Sequence, residues 1–185
     1  RVTPRVRLYE IHGGARVLVK GLAIGNAIAT GRANHIRGPA ELDRFRPGEV
    51  LVTETTGPDW EPVMKAAAAV VTERGGRTSH AAIVARELGL PAIVGAKDAM
   101  ALIANGAPIT VSCAEGEVGS VYAGELPFEV EEIDLSSLAH PRTKIMLNVG
   151  NPERALKLAM LPSDGVGLAR MEFVFAGWVG VHPLA

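Results

Sequence analysis

The 185 residues carry 19 basic against 20 acidic side chains, a formal net charge of −1, and 48% of them are apolar. Such a chain holds one folded domain with the start of a second, and its near-neutral balance argues against broad electrostatic binding to nucleic acid or an anionic membrane. A single cysteine, Cys113, excludes an intrachain disulfide. No Cys-x-x-Cys or His-x-x-x-His spacing offers a metal cage, and no run approaches the roughly 18 apolar residues of a membrane span. The expected setting is therefore the reducing cytoplasm. The chain begins without methionine or the apolar core of a signal peptide and stops after an apolar stretch, so it reads as a piece of something longer.

Residues 17 to 31 alternate apolar and small side chains between glycines, a pattern that suits paired strands with bends. The alternative is a phosphate-binding loop, but the stretch has no Gly-Lys-Ser/Thr ending and no G-x-G-x-x-G. Pro47-Gly48 signals a turn before the β-rich run Glu49-Val50-Leu51-Val52-Thr53. Gly57-Pro58-Asp59 predicts a helix start with Asp59 as its cap, and Val70-Val71-Thr72 reads as a buried strand.

That strand feeds Gly75-Gly76-Arg77-Thr78-Ser79-His80, which leads into a predicted helix. Ala81, Val84, Ala85 and Leu88 recur at i, i+3, i+4 and i+7 and predict its buried stripe, with His80 at one edge. Gly89 fits the position after the last turn, and Pro91 stops the helix before the strand Ala92-Ile93-Val94-Gly95. Two readings of His80 follow. It is a packed residue, or it is a nucleophile, since unpaired first-turn amides and the positive end of the helix dipole stabilise a phosphoryl group there. An imidazole, with an ordinary pKa of about 6.5, is a neutral nucleophile near pH 7. The Arg77 guanidinium and the hydroxyls of Thr78 and Ser79 are the expected phosphate ligands; helix capping is the plainer role for one of the two hydroxyls.

Further on, Asp98 to Asn105 predicts a short helix ended by Gly106, and strands are expected at 108–112 and 119–122. Residues 125 to 142 are acidic, contain proline and lack periodicity, which reads as a linker. Lys144 to Val149, Pro152 to Leu161 and Gly165 to Arg170 then predict strand, helix and strand, the opening of many parallel α/β folds. Asp59 with Glu61 reads as cap and solvated charge before it reads as an acid–base pair. His12, His35, His140 and His182 have no partner pattern, and Cys113 suits a core or strand end.

The run from Arg74 to Gly95 resembles the phosphohistidine motif of the phosphoenolpyruvate-utilising enzymes. The flanking Pro58–Lys65, Val111–Glu117, Asn148–Arg154 and Gly165–Phe173 resemble the branch of that family that acts on pyruvate, ATP and water. The resemblance implies an α/β architecture: a swivelling β/β/α phosphohistidine domain over residues 10–125, a linker over 126–142, and over 143–185 the first strands and helix of a (β/α)₈ barrel, which needs about 250 residues when complete. It implies that His80 carries a phosphoryl group between an ATP site on a further N-terminal domain and pyruvate, giving phosphoenolpyruvate, AMP and phosphate. Mg²⁺ is implied as cofactor with ligands outside this chain, as is assembly into a homo-oligomer.

The same resemblance makes Arg170 a ligand for phosphoenolpyruvate, with Glu172 beside it at the end of a barrel strand; a surface pair of the two is the alternative. It makes Thr78 the target of a regulatory kinase and phosphorylase, where added phosphate would repel and block a phosphoryl donor. Ser79 stands where some members carry cysteine. Two other functions remain: a relative that uses orthophosphate in place of water, such as a pyruvate phosphate dikinase, and a swivelling module that binds without catalysis.

Overall fold

The computed structural model describes residues 5–12, 14, 16–135, 139, 141–149, 155 and 158–169. Arg170, Glu172, His140 and His182 lie outside the described residues. The chain divides into two compact units, Leu8–Glu131 and Arg1–Arg7 with Glu132–Ala185.

The strands are β1 (Arg5–Ile11), β2 (Val17–Ile24), β3 (Ile28–His35), β4 (Val50–Thr53), β5 (Ala69–Thr72), β6 (Ala92–Val94), β7 (Pro108–Ser112), β8 (Val118–Ala123), β9 (Phe128–Asp134), β10 (Leu147–Val149) and β11 (Val166–Ala169). The helices are α1 (Glu61–Ala66), α2 (His80–Leu88) and α3 (Ala99–Leu102). This is a mixed α/β chain. None of the described helices is long and apolar enough to cross a membrane.

Seven strands close into a barrel in the order β2-β6-β5-β4-β3-β7-β8. Strands β3, β4, β5 and β6 run parallel to their neighbours, with α1 connecting β4 to β5 and α2 connecting β5 to β6. The other barrel pairings are antiparallel. Val50-Leu51-Val52, Ala69-Val70-Val71 and Ala92-Ile93-Val94 are fully buried because both faces of these strands are covered. Val50, Val52, Val71, Ile93, Val111 and Val121 belong to one core, contributed by strands all round the barrel. Leu51, Val70, Ala92 and Val94 point the other way into a second core with Trp60, Met64, Ala81, Ala82 and Ala85, which seats α1 and α2 on the barrel.

Four local expectations change. Strands β2 and β3 both form, but neither pairs with the other; β2 lies between β6 and β8, and β3 between β4 and β7. Asp59 caps nothing: Pro58–Trp60 form a 3₁₀ turn preceded by Gly57, and α1 starts at Glu61 with no side-chain cap. Helix α3 ends at Leu102, not near Gly106, because Ile103 turns extended and buries its side chain in the barrel core. Residues Phe128–Asp134, which show no periodicity, form a strand paired with β1. Most of that strand's side chains are exposed, so no apolar alternation marks it.

In the unit containing residues 132–185, β10 and β11 pair in parallel with Leu147 opposite Val166 and Asn148 opposite Leu168. Ala155, Leu158 and Ala159, between them in sequence, are helical. Asp164 ties the start of the unit: its carboxylate accepts from the Ile145 amide at 2.8 Å, and its own amide donates to the Ile145 carbonyl at 2.7 Å.

Candidate functional site

The site sits beyond the C-terminal ends of β4 and β5, where open-ended parallel strands commonly present their chemistry. The two chains stay together past the strands. The Glu73 amide donates to the Thr53 carbonyl at 3.0 Å, and the Arg74 amide to that of Glu54 at 2.9 Å. Buried Thr72 donates its hydroxyl to the Arg74 carbonyl at 2.8 Å and so turns the backbone into the glycine pair. At Gly75 φ is +115°, and a Cβ there would lie 2.8 Å from the Ser79 hydroxyl, so this turn requires glycine.

His80 is the first residue of α2, with extended Ser79 as its N-cap. The ring is half-buried, between the buried face of Ala81, Ala82 and Ala85 and solvent. Its Nδ1 lies 3.0 Å from Oγ1 of Thr56, at the end of the loop that follows β4. Among the described residues Nε2 has no hydrogen-bond partner. One ring nitrogen is held and the other faces outward. The predicted stripe holds at Ala81 and Ala85, while Val84 is only partly buried and Leu88 is 38% exposed; Ala82 takes the central place instead.

The hydroxyl of Ser79 does not cap the helix. It donates to the Gly76 carbonyl at 2.8 Å, bracing the turn, and Thr78 is exposed without a hydrogen bond. No side chain accepts from the first-turn amides among the described residues, which leaves those donors for an incoming anion. At the other end of α2, Gly89 adopts φ +69° and its amide donates to the carbonyls of Ala85 and Arg86, the predicted helix stop.

The loop's cations are all engaged. Arg77 pairs with Glu117 at 3.1 Å, Arg74 with Glu54 at 2.8 Å, and Arg86 donates to the Arg77 carbonyl at 2.6 Å. Glu61 pairs with Lys65 at 2.7 Å. The Lys65 hydrogen bond and charge hold the Glu61 carboxyl below the usual carboxylate range, and His80 adds a smaller effect of the same sign. Among the described residues no group of three or more His, Cys, Asp or Glu is gathered as a metal site would require.

The structure thus brings Arg77, Thr78, Ser79 and His80 into one turn and helix start. The sequence reading passed over two residues, Thr56 and Glu117. The available signal for Thr56 is positional: it follows β4 as His80 follows β5, and adjacent parallel strands bring their trailing loops together. Glu117 carries no such signal, because it reaches Arg77 from the turn between β7 and β8.

Residues 45–116 match the model of the PEP-utilising enzyme, mobile domain. Over 170 residues the chain is 61% identical to a phosphoenolpyruvate synthase from Aquifex aeolicus, covering 92% of this chain and 20% of that protein. It is 52% identical to one from Synechocystis over 180 residues, and 50% identical to one from Escherichia coli over 177 residues. These alignments cover 97% and 96% of this chain and 22% of each relative. The chain spans about a fifth of the length of the curated relatives it matches. It belongs to the phosphoenolpyruvate-utilising enzymes, whose mobile domain it contains, and over most of its length it is similar to phosphoenolpyruvate synthases.

Proposed function

We propose that His80 carries a phosphoryl group in a pyruvate, water dikinase. The observation that carries this reading is the bond between Thr56 and Nδ1, which leaves Nε2 outward at the start of α2. With Nδ1–H donating to the threonine oxygen, Nε2 keeps its lone pair. In the direction from phosphoenolpyruvate, Nε2 bonds to phosphorus as the bond from phosphorus to the enol oxygen breaks, and the departing enolate takes up a proton to become pyruvate. The first-turn amides and Arg77 receive the charge that collects on the phosphoryl oxygens. Thr78 and Ser79 serve less directly, Thr78 as an exposed hydroxyl and Ser79 as the brace of the turn.

In the complete protein the reaction converts ATP, pyruvate and water into AMP, phosphoenolpyruvate and phosphate, in the cytoplasm. The barrel with α1 and α2 serves as the swivelling β/β/α body, residues 10–125, which turns about the segment 126–142. Residues 143–185 open the (β/α)₈ barrel that binds pyruvate, with Arg170 and Glu172 among its ligands. Mg²⁺ neutralises charge on the transferring group; the described residues do not fit it, so its ligands belong to other parts of the complete protein. Exposed Thr78 is the position at which a regulatory kinase would block transfer.

The test is to incubate the complete protein with radiolabelled phosphoenolpyruvate and map the label. Acid-labile label on the peptide containing His80, absent in His80→Ala, is expected. A His80→Ala protein with full turnover would show instead a module that binds without catalysis.

A further inference from the structure

Arg77, the cation three residues before His80, is already taken. Its Nη2 lies 3.1 Å from Oε1 of Glu117. Both ends of this pair have fixed backbones: the Arg77 carbonyl accepts from Arg86 of α2 at 2.6 Å, and the Glu117 carbonyl accepts from the Ala23 amide of β2 at 2.9 Å. A change of partner therefore needs only side-chain rotation. The pair is weakly held, since Arg77 is 50% and Glu117 85% exposed. Exposed pairs of this kind shift an equilibrium by at most about fivefold.

We propose that Glu117 is a stand-in anion that holds Arg77 while His80 is free and yields it to the phosphoryl group once His80 is charged. The proposal rests on His80 being the carrier. A phosphoryl group brings roughly twice the charge of a carboxylate and three acceptor oxygens, which suit the forked guanidinium, so it wins the exchange. When the phosphoryl group departs, the carboxylate takes the arginine back. Glu117 thereby lowers the lifetime of the phosphorylated state and favours passing the group on. It is a positioning residue that acts through Arg77 and touches no reacting atom.

The experiment is to phosphorylate the complete protein with phosphoenolpyruvate, remove the donor, and time the loss of acid-labile label from His80. Glu117→Gln is expected to lengthen that lifetime two- to fivefold at low salt, and Arg77→Gln to shorten it. The double variant should match Arg77→Gln, because with no arginine to compete for, the carboxylate has no effect. The gain from Glu117→Gln should fade toward 1 M salt, where an exposed pair is screened. Glu87→Gln, which removes the same charge from the far end of α2, should leave the lifetime unchanged. An unchanged lifetime in Glu117→Gln, an equal gain in the Arg77→Gln background, or an equal gain from Glu87→Gln overturns the exchange while His80 remains the carrier. Absence of label from His80 in the parent protein overturns the carrier role itself, and the exchange with it.

Discussion

Oγ1 of Thr56 and Nδ1 of His80 lie 3.0 Å apart, across the loops that follow two adjacent parallel strands. The contact fixes the ring's rotation and chooses which nitrogen keeps its lone pair. Thr56→Val keeps the shape and removes the oxygen. A hydrogen bond of this kind contributes about 1 kcal/mol, so the rate of His80 phosphorylation should fall about five- to tenfold, measured by rapid quench of acid-labile label. Thr56→Ser should retain most of the rate.

Gly75 stands at φ +115° with the Ser79 side chain against the place a Cβ would take. Gly75→Ala should destabilise the protein by about 1–3 kcal/mol, the usual scale of a residue forced into strained backbone. Gly76→Ala, where a Cβ meets nothing within 4 Å, should change stability far less. Denaturant midpoints of the two variants provide the comparison.

His35, at the end of β3, has its Nε2 buried without a partner, and burial pushes its imidazole below the ordinary value of 6.5. The backbone of Ile103 and the charge of Glu73 oppose that shift, while Arg37 reinforces it. The unfolded chain then takes up a proton at higher pH than the folded one. Stability is complete above pH 6.5 and is lost progressively as the pH falls through the folded value. Denaturant midpoints between pH 7.5 and 5 should show this decline, and His35→Gln should make it shallower.

Cys113 is 1% exposed, and burial raises its thiol to about 11. Thiolate is the reactive form. A thiol-specific reagent at pH 8 should therefore leave the native protein unlabelled over the time in which the denatured protein reacts fully. Prompt labelling of native protein would contradict the burial seen at this strand end.

Residues that answer to their own neighbours in sequence were the readable ones. Gly89 stops α2 where a left-handed residue was expected, and strands β4 to β8 fall where short apolar runs meet turn residues. His80 could be placed at a helix start from the glycine pair and the alanine-rich stripe alone. What was hidden depends on contacts between distant segments. The partner of His80 lies 24 residues away, and its role exists only because β4 and β5 are neighbours. Strand β9 shows too little burial to leave a pattern, and α3 is shortened by a core position for Ile103 that nothing in its local sequence announces.

In the seven-stranded closure every strand has a partner on both sides. An open sheet of the same length would present bare amides and carbonyls along two margins, an invitation for other chains to add on. A body meant to detach from one reaction centre and present itself at another spends part of each cycle uncovered, and ring closure lets it do so without sticking.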